Sequence, residues 1–155
     1  MYCQSVHDAS LEDDALNAEG ANSEDFAQGC QGNSWTAIRT ALDITGEYQD
    51  SAGTNHRINA WQWVQEGAGS SDLFYVTTIN NEEGWLIAEN GVDNATNPNL
   101  WSVFQWTTDS DNSLYYCHSS NDAEMKEDAM NQDFADADDL TSGCKGSAWS
   151  SLERE

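Results

Sequence analysis

Trp101-Ser102-Val103-Phe104-Gln105-Trp106-Thr107-Thr108 is followed by Asp109-Ser110-Asp111-Asn112-Ser113 and then by Leu114-Tyr115-Tyr116-Cys117. Two runs rich in aromatic and β-branched side chains, separated by five small turn-forming residues, read as neighbouring antiparallel strands. The same grammar extends upstream. Candidate strands lie at 44–49, 56–65, 73–79, 85–89, 101–108 and 114–119. Between them stand Asp50-Ser51-Ala52-Gly53, Glu66-Gly67-Ala68-Gly69 and Asn80-Asn81-Glu82-Glu83-Gly84, all short links with turn chemistry. Links this short leave no room for the crossover helices of a parallel sheet, so the expected fold is mainly β: an antiparallel meander of about six strands, closed as a small barrel or folded as a sandwich. The connection at 90–99 is longer and holds the only proline, Pro98, which marks it as a helical turn or a functional loop.

Several strands are apolar on both faces. In 56–65, Trp61 and Trp63 lie on one side of the alternation and Ile58, Ala60 and Val64 on the other; in 101–108, Phe104 and Trp106 oppose Trp101 and Val103. One face fills an interior and the other needs a cover. The composition permits such a core. Of 155 residues, 38% are hydrophobic and 10% aromatic, with seven tryptophans, so the chain is not a disordered acidic segment. Five Lys and Arg against 28 Asp and Glu give a net charge of −23. That charge repels phosphate backbones and anionic lipid headgroups, which argues against nucleic acid and against membrane docking, and no apolar run reaches the roughly 20 residues of a spanning helix. Few lysines and many acids also suit solubility in high salt. No signal-peptide pattern opens the sequence, so a secreted form is expected to be the mature one.

Laid on itself at an offset of 114, the sequence matches without a gap from Tyr2–Ile38 to Tyr116–Leu152, with 14 of 37 positions identical. The identities include Tyr2 and Tyr116, Cys3 and Cys117, Gly29-Cys30 and Gly143-Cys144, Gly32 and Gly146, and Trp35 and Trp149. Each copy reads Tyr-Cys, an acidic Ala/Leu/Met segment, then Gly-Cys-x-Gly-x-x-Trp. Four cysteines allow three pairings. The equal spacing in both copies favours Cys3 with Cys30 and Cys117 with Cys144, one staple per copy, in an oxidising compartment; zinc and redox motifs are absent. Inside the second copy a helix is expected from a cap near Asp122 to about Asn131, with Met125, Ala129 and Met130 on one face; Leu11, Ala15 and Leu16 repeat that face in the first. The expected organisation is therefore 1–40 as an N-terminal stapled tail, 41–115 as the β core and 116–155 as a second stapled short-helix tail that returns over the sheet and buries Met125, Met130 and Trp149.

The stretch Leu114-Tyr115-Tyr116-Cys117 through Gly143-Cys144-Lys145-Gly146-Ser147-Ala148-Trp149, with Thr45-Gly46-Glu47-Tyr48-Gln49-Asp50 opening the core, resembles a repeat-like domain of uncharacterised secreted proteins and lipoproteins of marine bacteria. The resemblance spans roughly 42–152. It implies an extracellular location and the local disulfide, and brings no activity, cofactor or catalytic residue with it.

The search for chemistry returns little. No nucleotide loop, nucleophile elbow or His-Glu-x-x-His is present. His7, His56 and His118 read as solvated or hydrogen-bonded rather than catalytic, and carboxylate pairs for glycoside hydrolysis reduce to Glu47, Glu82, Glu83 and Glu89 without a convincing partner arrangement. Hard-cation ligands are offered by Asp109 and Asp111 and by Asp136 and Asp138, the candidate calcium residues, though neither stretch fits an EF-hand loop. Trp61 and Trp63 are the candidate platform for stacking on a polysaccharide. Tyr2, Leu11, Leu16, Trp35, Met125, Met130 and Trp149 are the candidate residues for tail docking. One core with two tails admits three readings: an excerpt of a tandem array, a subunit whose leading tail docks on the next molecule in head-to-tail assembly, or a monomer with both tails on one core. The expected function is a non-enzymatic extracellular or cell-surface structural or adhesive module that self-associates into filament-like assemblies; the alternative is a carbohydrate- or calcium-binding module.

Overall fold

The computed structural model describes residues 28, 30, 41–67 and 69–155. The chain divides after Thr40, and the unit Ala41–Glu155 is the β domain. It contains eight strands: β1 (Gly46–Asp50), β2 (Asn55–Ile58), β3 (Gln62–Gly67), β4 (Ser70–Asn80), β5 (Trp85–Asn90), β6 (Trp101–Thr108), β7 (Leu114–Ala123) and β8 (Ser150–Arg154). Each pairs antiparallel with the next, and β8 pairs with β1, so the sheet closes into an up-and-down barrel. Closure leaves no edge strand.

Eight strands replace the expected six for two local reasons. The run at 56–65 is not one strand, because the Asn59 side chain accepts the N–H groups of Trp61 and Gln62 and turns the chain back on itself between β2 and β3. The turn breaks the alternation, so Trp61 is 57% exposed while Trp63 is fully buried inside the barrel, and the two do not share a platform. The eighth strand comes from the end of the expected second tail: β8 pairs with β7 and β1 and places Leu152 in the core. The expected boundary between 115 and 116 falls inside β7.

The interior follows strand parity. Tyr48, Ile58, Trp63, Phe74, Val76, Leu86, Ala88, Phe104, Trp106 and Leu152 form one buried cluster, which Leu42 and Ile44 join. A barrel of eight strands is just wide enough for side chains to fill. Phe104 stacks between Trp63 at 4.4 Å and His118 at 4.1 Å, while Phe74 meets it edge-on.

The outer faces of β5 and β6 are covered, as their second apolar faces require. Ile87 and Val103, with Trp85 and Trp101 beside them, pack under Ala123 and Ala129. Ala129 belongs to α1 (Lys126–Met130), the one helix among the described residues and only 5 residues long. The longer helix expected from Asp122 does not form, since β7 runs on to Ala123 and α1 has no side-chain cap. Its apolar contact is the small Ala129, whereas Met125 is 56% and Met130 47% exposed, so these two methionines are not the buried face expected of them. Phe134 stacks on Trp85 at 5.5 Å, and Ala135 N–H donates to the Gln105 side chain, continuing the cover.

The cover is pinned by the Gly-Cys-x-Gly-x-x-Trp motif. Cys144 is disulfide-bonded to Cys117 on the outer face of β7. Gly143 lies so close to the Asp136 and Asp139 carbonyls that a Cβ there would stand 2.0 and 2.4 Å from their oxygens. Lys145 and Gly146, both at positive φ, turn the chain between Cys144 and Ser147, which exchange two backbone hydrogen bonds. Trp149 is buried and donates its indole N–H to the Asp136 carbonyl. Cys30 is likewise disulfide-bonded. The expected Cys3 partner lies outside the described residues, as do Tyr2, Leu11, Leu16, Trp35 and the first-copy helix.

Candidate functional site

The two ends of the barrel differ. At one, Leu42 and Ile44 close the interior with apolar side chains, held by a turn in which Thr45 donates to the Leu42 carbonyl and Asn81 donates to that of Ala41. At the other, the inward positions of successive strands are polar: Asp50, His56, Gln65, Asp72, Asn90, Ser102 and His118. This polar end is the candidate site.

Two hydrogen-bond networks occupy it. In the first, Trp63 Nε1–H donates to His56 Nδ1 at 3.0 Å, which makes that nitrogen the acceptor and puts the imidazole proton on Nε2. His56 Nε2 lies 3.2 Å from Asp50 Oδ2, which also accepts the Tyr116 hydroxyl at 3.1 Å. The other oxygen of Asp50 accepts the N–H groups of Ala52 and Thr54 in the β1–β2 turn. Burial opposes ionisation of Asp50, but its hydrogen bonds, led by that from Thr54, hold its carboxyl below the usual range. Burial pushes His56 down, and the neighbouring Asp50 carboxylate offsets only part of that. Burial, then Asp50, raises the Tyr116 hydroxyl. The result is a neutral imidazole between an indole and a carboxylate, with both ring nitrogens committed and no solvent access.

In the second network, Asn90 is fixed first. Its amide donates to the carbonyls of Asn97 at 2.7 Å and Asn121 at 3.0 Å, which orients Oδ1 as the acceptor of the Ser102 hydroxyl at 2.5 Å. Ser102 has one proton and has given it to Asn90, so the 2.9 Å contact with His118 Nε2 is donation from the imidazole. His118 is therefore the Nε2–H tautomer, and burial pushes its pKa down to about 4, keeping the ring neutral near pH 7. A serine beside a histidine usually invites a nucleophile reading, but here the hydroxyl faces a proton rather than a base.

The long connection after β5 is neither helical nor loose. Asn94 imitates a strand partner by accepting from Leu73 N–H and donating to the Leu73 carbonyl, and Ala95 N–H donates to Asp72. This folds Thr96 over the polar end, where it helps enclose about 120 Å³ of free space with Gln65, Asp72, Phe74, His118 and Asn121. A larger open vestibule of about 370 Å³, walled by the β1–β2 and β3–β4 turns, shares Gln65 and Asp72 with it.

Two of the four residues singled out for calcium, Asp109 and Asp136, use their carboxylates to order turns. Asp109 accepts the N–H groups of Asp111 and Ser113 and the Tyr115 hydroxyl, ordering the β6–β7 turn, and Asp136 accepts Asp138 N–H. Among the described residues no group of three or more His, Cys, Asp or Glu is placed to hold a metal ion. The candidate sugar residue Trp61 is exposed, and Tyr75, 48% exposed, pairs with Gln62, the residue that follows Trp61. Sequence reasoning passed over Ser102 and Asn90, and read His118 only as a solvated or hydrogen-bonded histidine. Their signal is parity: each is in phase with core residues of its strand, Phe104, Ala88 and Tyr116, yet is polar.

The fold and site together define an acidic, disulfide-stapled, eight-stranded antiparallel barrel with one apolar and one polar end. No protein-family model, no curated protein and no solved structure matches the chain.

Proposed function

We propose that the chain is a non-enzymatic extracellular structural or adhesive module that associates with copies of itself. The observation that carries the non-enzymatic part is the commitment of the Asp50, His56 and Ser102 side chains: Asp50 and His56 are saturated by hydrogen bonds within the fold, and Ser102 faces an imidazole proton rather than a base. The extracellular part is supported by the Cys117–Cys144 disulfide, which belongs to oxidising compartments. No helix among the described residues is long and apolar enough to cross a membrane. Association is supported by Met125, Met130 and Phe134, apolar side chains left 42–56% exposed along one short stretch of the outer cover in an otherwise strongly anionic chain.

Light scattering behind size exclusion tests the proposal. Masses above 17.1 kDa are expected as concentration and salt rise, because salt screens the repulsion between chains of −23 charge. The Met125→Ser, Met130→Ser, Phe134→Ser variant is expected to lose that growth. A monodisperse 17.1 kDa species throughout would overturn self-association.

A second reading, a carbohydrate-binding module, is favoured by one observation, the exposure of two aromatic side chains, Trp61 and Tyr75, the latter paired with Gln62, the residue after Trp61. Titration of tryptophan fluorescence with polysaccharides tests it, with a saturable change lost in Tyr75→Ala as the expected result.

A further inference from the structure

The polar end of the barrel holds acceptors that the fold does not use. His118 spends Nε2–H on Ser102, and its ring lies flat on Phe104, so its Nδ1 lone pair is the one polar group it has left to offer the cavity it lines. Asp72 accepts Ala95 N–H through Oδ1 alone, leaving Oδ2 without a partner among the described residues. Gln65, paired with Asp72 across β3 and β4, makes no side-chain hydrogen bond among those residues, although it is partly buried and lines both the inner space and the vestibule. Among the described residues every buried side-chain nitrogen and oxygen has a hydrogen-bond partner, so these unused acceptors are the ones that open onto the cavity, where an entering ligand can reach them. The Phe74 ring supplies an apolar wall.

We propose that this mouth is a binding site for a small organic cation carrying N–H donors, a primary ammonium on a short apolar stem, with its donors directed to the Asp72 carboxylate, His118 Nδ1 and the Gln65 side-chain carbonyl. Size, charge and access each support that class. A space of about 120 Å³ is slightly below the roughly 150 Å³ that admits a benzene-sized molecule, so the ligand is a few heavy atoms long. The only formal charge on the wall is negative, which selects a cation over a neutral polyol of the same size. The vestibule that shares Gln65 and Asp72 is the route in, and the field of a −23 chain concentrates cations at such an opening. Because the His118 ring is neutral near pH 7, its lone pair is available rather than repelling the ligand.

The experiment is an NMR titration of the whole chain, following the His118 imidazole and Asp72 carboxyl resonances, with three probes: ethylammonium, tetramethylammonium and ethanol. Saturable shifts at both residues are expected with ethylammonium only, since tetramethylammonium has the charge without donors and ethanol the donor without charge. Asp72→Asn keeps an oxygen for Ala95 N–H and removes the charge; it is expected to weaken ethylammonium at least tenfold with the folded spectrum preserved. Gln65→Met, which has no described hydrogen bond to lose, is the second variant and is expected to weaken binding several-fold. Equal shifts with tetramethylammonium would mean diffuse attraction to the acidic surface and would overturn the site. So would undiminished binding in both variants, or no shift at either residue with millimolar ethylammonium.

Discussion

Asp50 accepts four hydrogen bonds, two from backbone N–H groups and one each from His56 and Tyr116, and it is this saturation that lets a carboxylate sit in a barrel otherwise packed with aromatic rings. Asp50→Asn replaces one acceptor oxygen by an NH₂ that faces two donors, the His56 Nε2–H and the Tyr116 hydroxyl. The expected cost is about 2–4 kcal/mol in guanidinium unfolding, more than a surface Asp→Asn change produces. His118 makes a different prediction, in pH. Its folded pKa of about 4 lies below the ordinary 6.5, so the unfolded chain binds the extra proton first. Stability contributed by the neutral ring is whole above pH 6.5 and drains away as pH falls toward 4, by about 3 kcal/mol across the window. His56, also lowered by burial, acts in the same direction. Urea unfolding at pH 7, 6 and 5 is expected to show this fall, and His118→Gln is expected to flatten it; a parallel slope in the variant would remove His118 as its source.

Among the elements, the 26 residues between β7 and β8 carry the densest local specification. Tightness at Gly143, a left-handed turn at Lys145 and Gly146, a disulfide at Cys144 and a buried indole at Trp149 succeed one another within seven residues. Asp139 joins them by accepting from both the backbone and the hydroxyl of Thr141 and Ser142, which holds its carboxyl well below the usual carboxylate range. Gly143→Ala would push a methyl group into two carbonyl oxygens that themselves belong to this turn. The expected outcome is a loss of more than about 2 kcal/mol together with a red shift of tryptophan emission as Trp149 meets water. If emission and stability are both unchanged, the turn does not hold the cover in place. The same motif was visible as a repeated pattern in the sequence, and its internal logic was not. Spacing shows that glycine and tryptophan recur; only the folded chain shows that Gly143 is required by two close carbonyl oxygens and Gly146 by a positive φ.

For the molecule as a whole, closure and stapling act together. The Cys117–Cys144 bond joins β7 to the segment that leads into β8, with 27 residues of sequence separation. A Cys117→Ser, Cys144→Ser variant is expected to lose about 3–4 kcal/mol of stability on the chain-entropy account, read as a lower denaturation midpoint. What the sequence determined by itself was local: the antiparallel meander, four of whose turns are named by Asp, Asn, Ser and Gly; the Cys117–Cys144 pairing, carried by equal spacing in two copies; and the need for a cover over β5 and β6, carried by apolar residues on both faces of Trp101–Thr108. These follow from periodicity and short-range geometry, which a linear reading preserves. Tertiary structure alone decided that the sheet closes, because β8 meets β1 across more than a hundred residues, and that Ala129 rather than its methionine neighbours touches the barrel. It alone gathered Gln65, Asp72 and His118 around one cavity, since the β3–β4 hairpin supplies the first two and β7, more than forty residues on, the third, and only the pairing register of a closed sheet brings their inward positions to the same end.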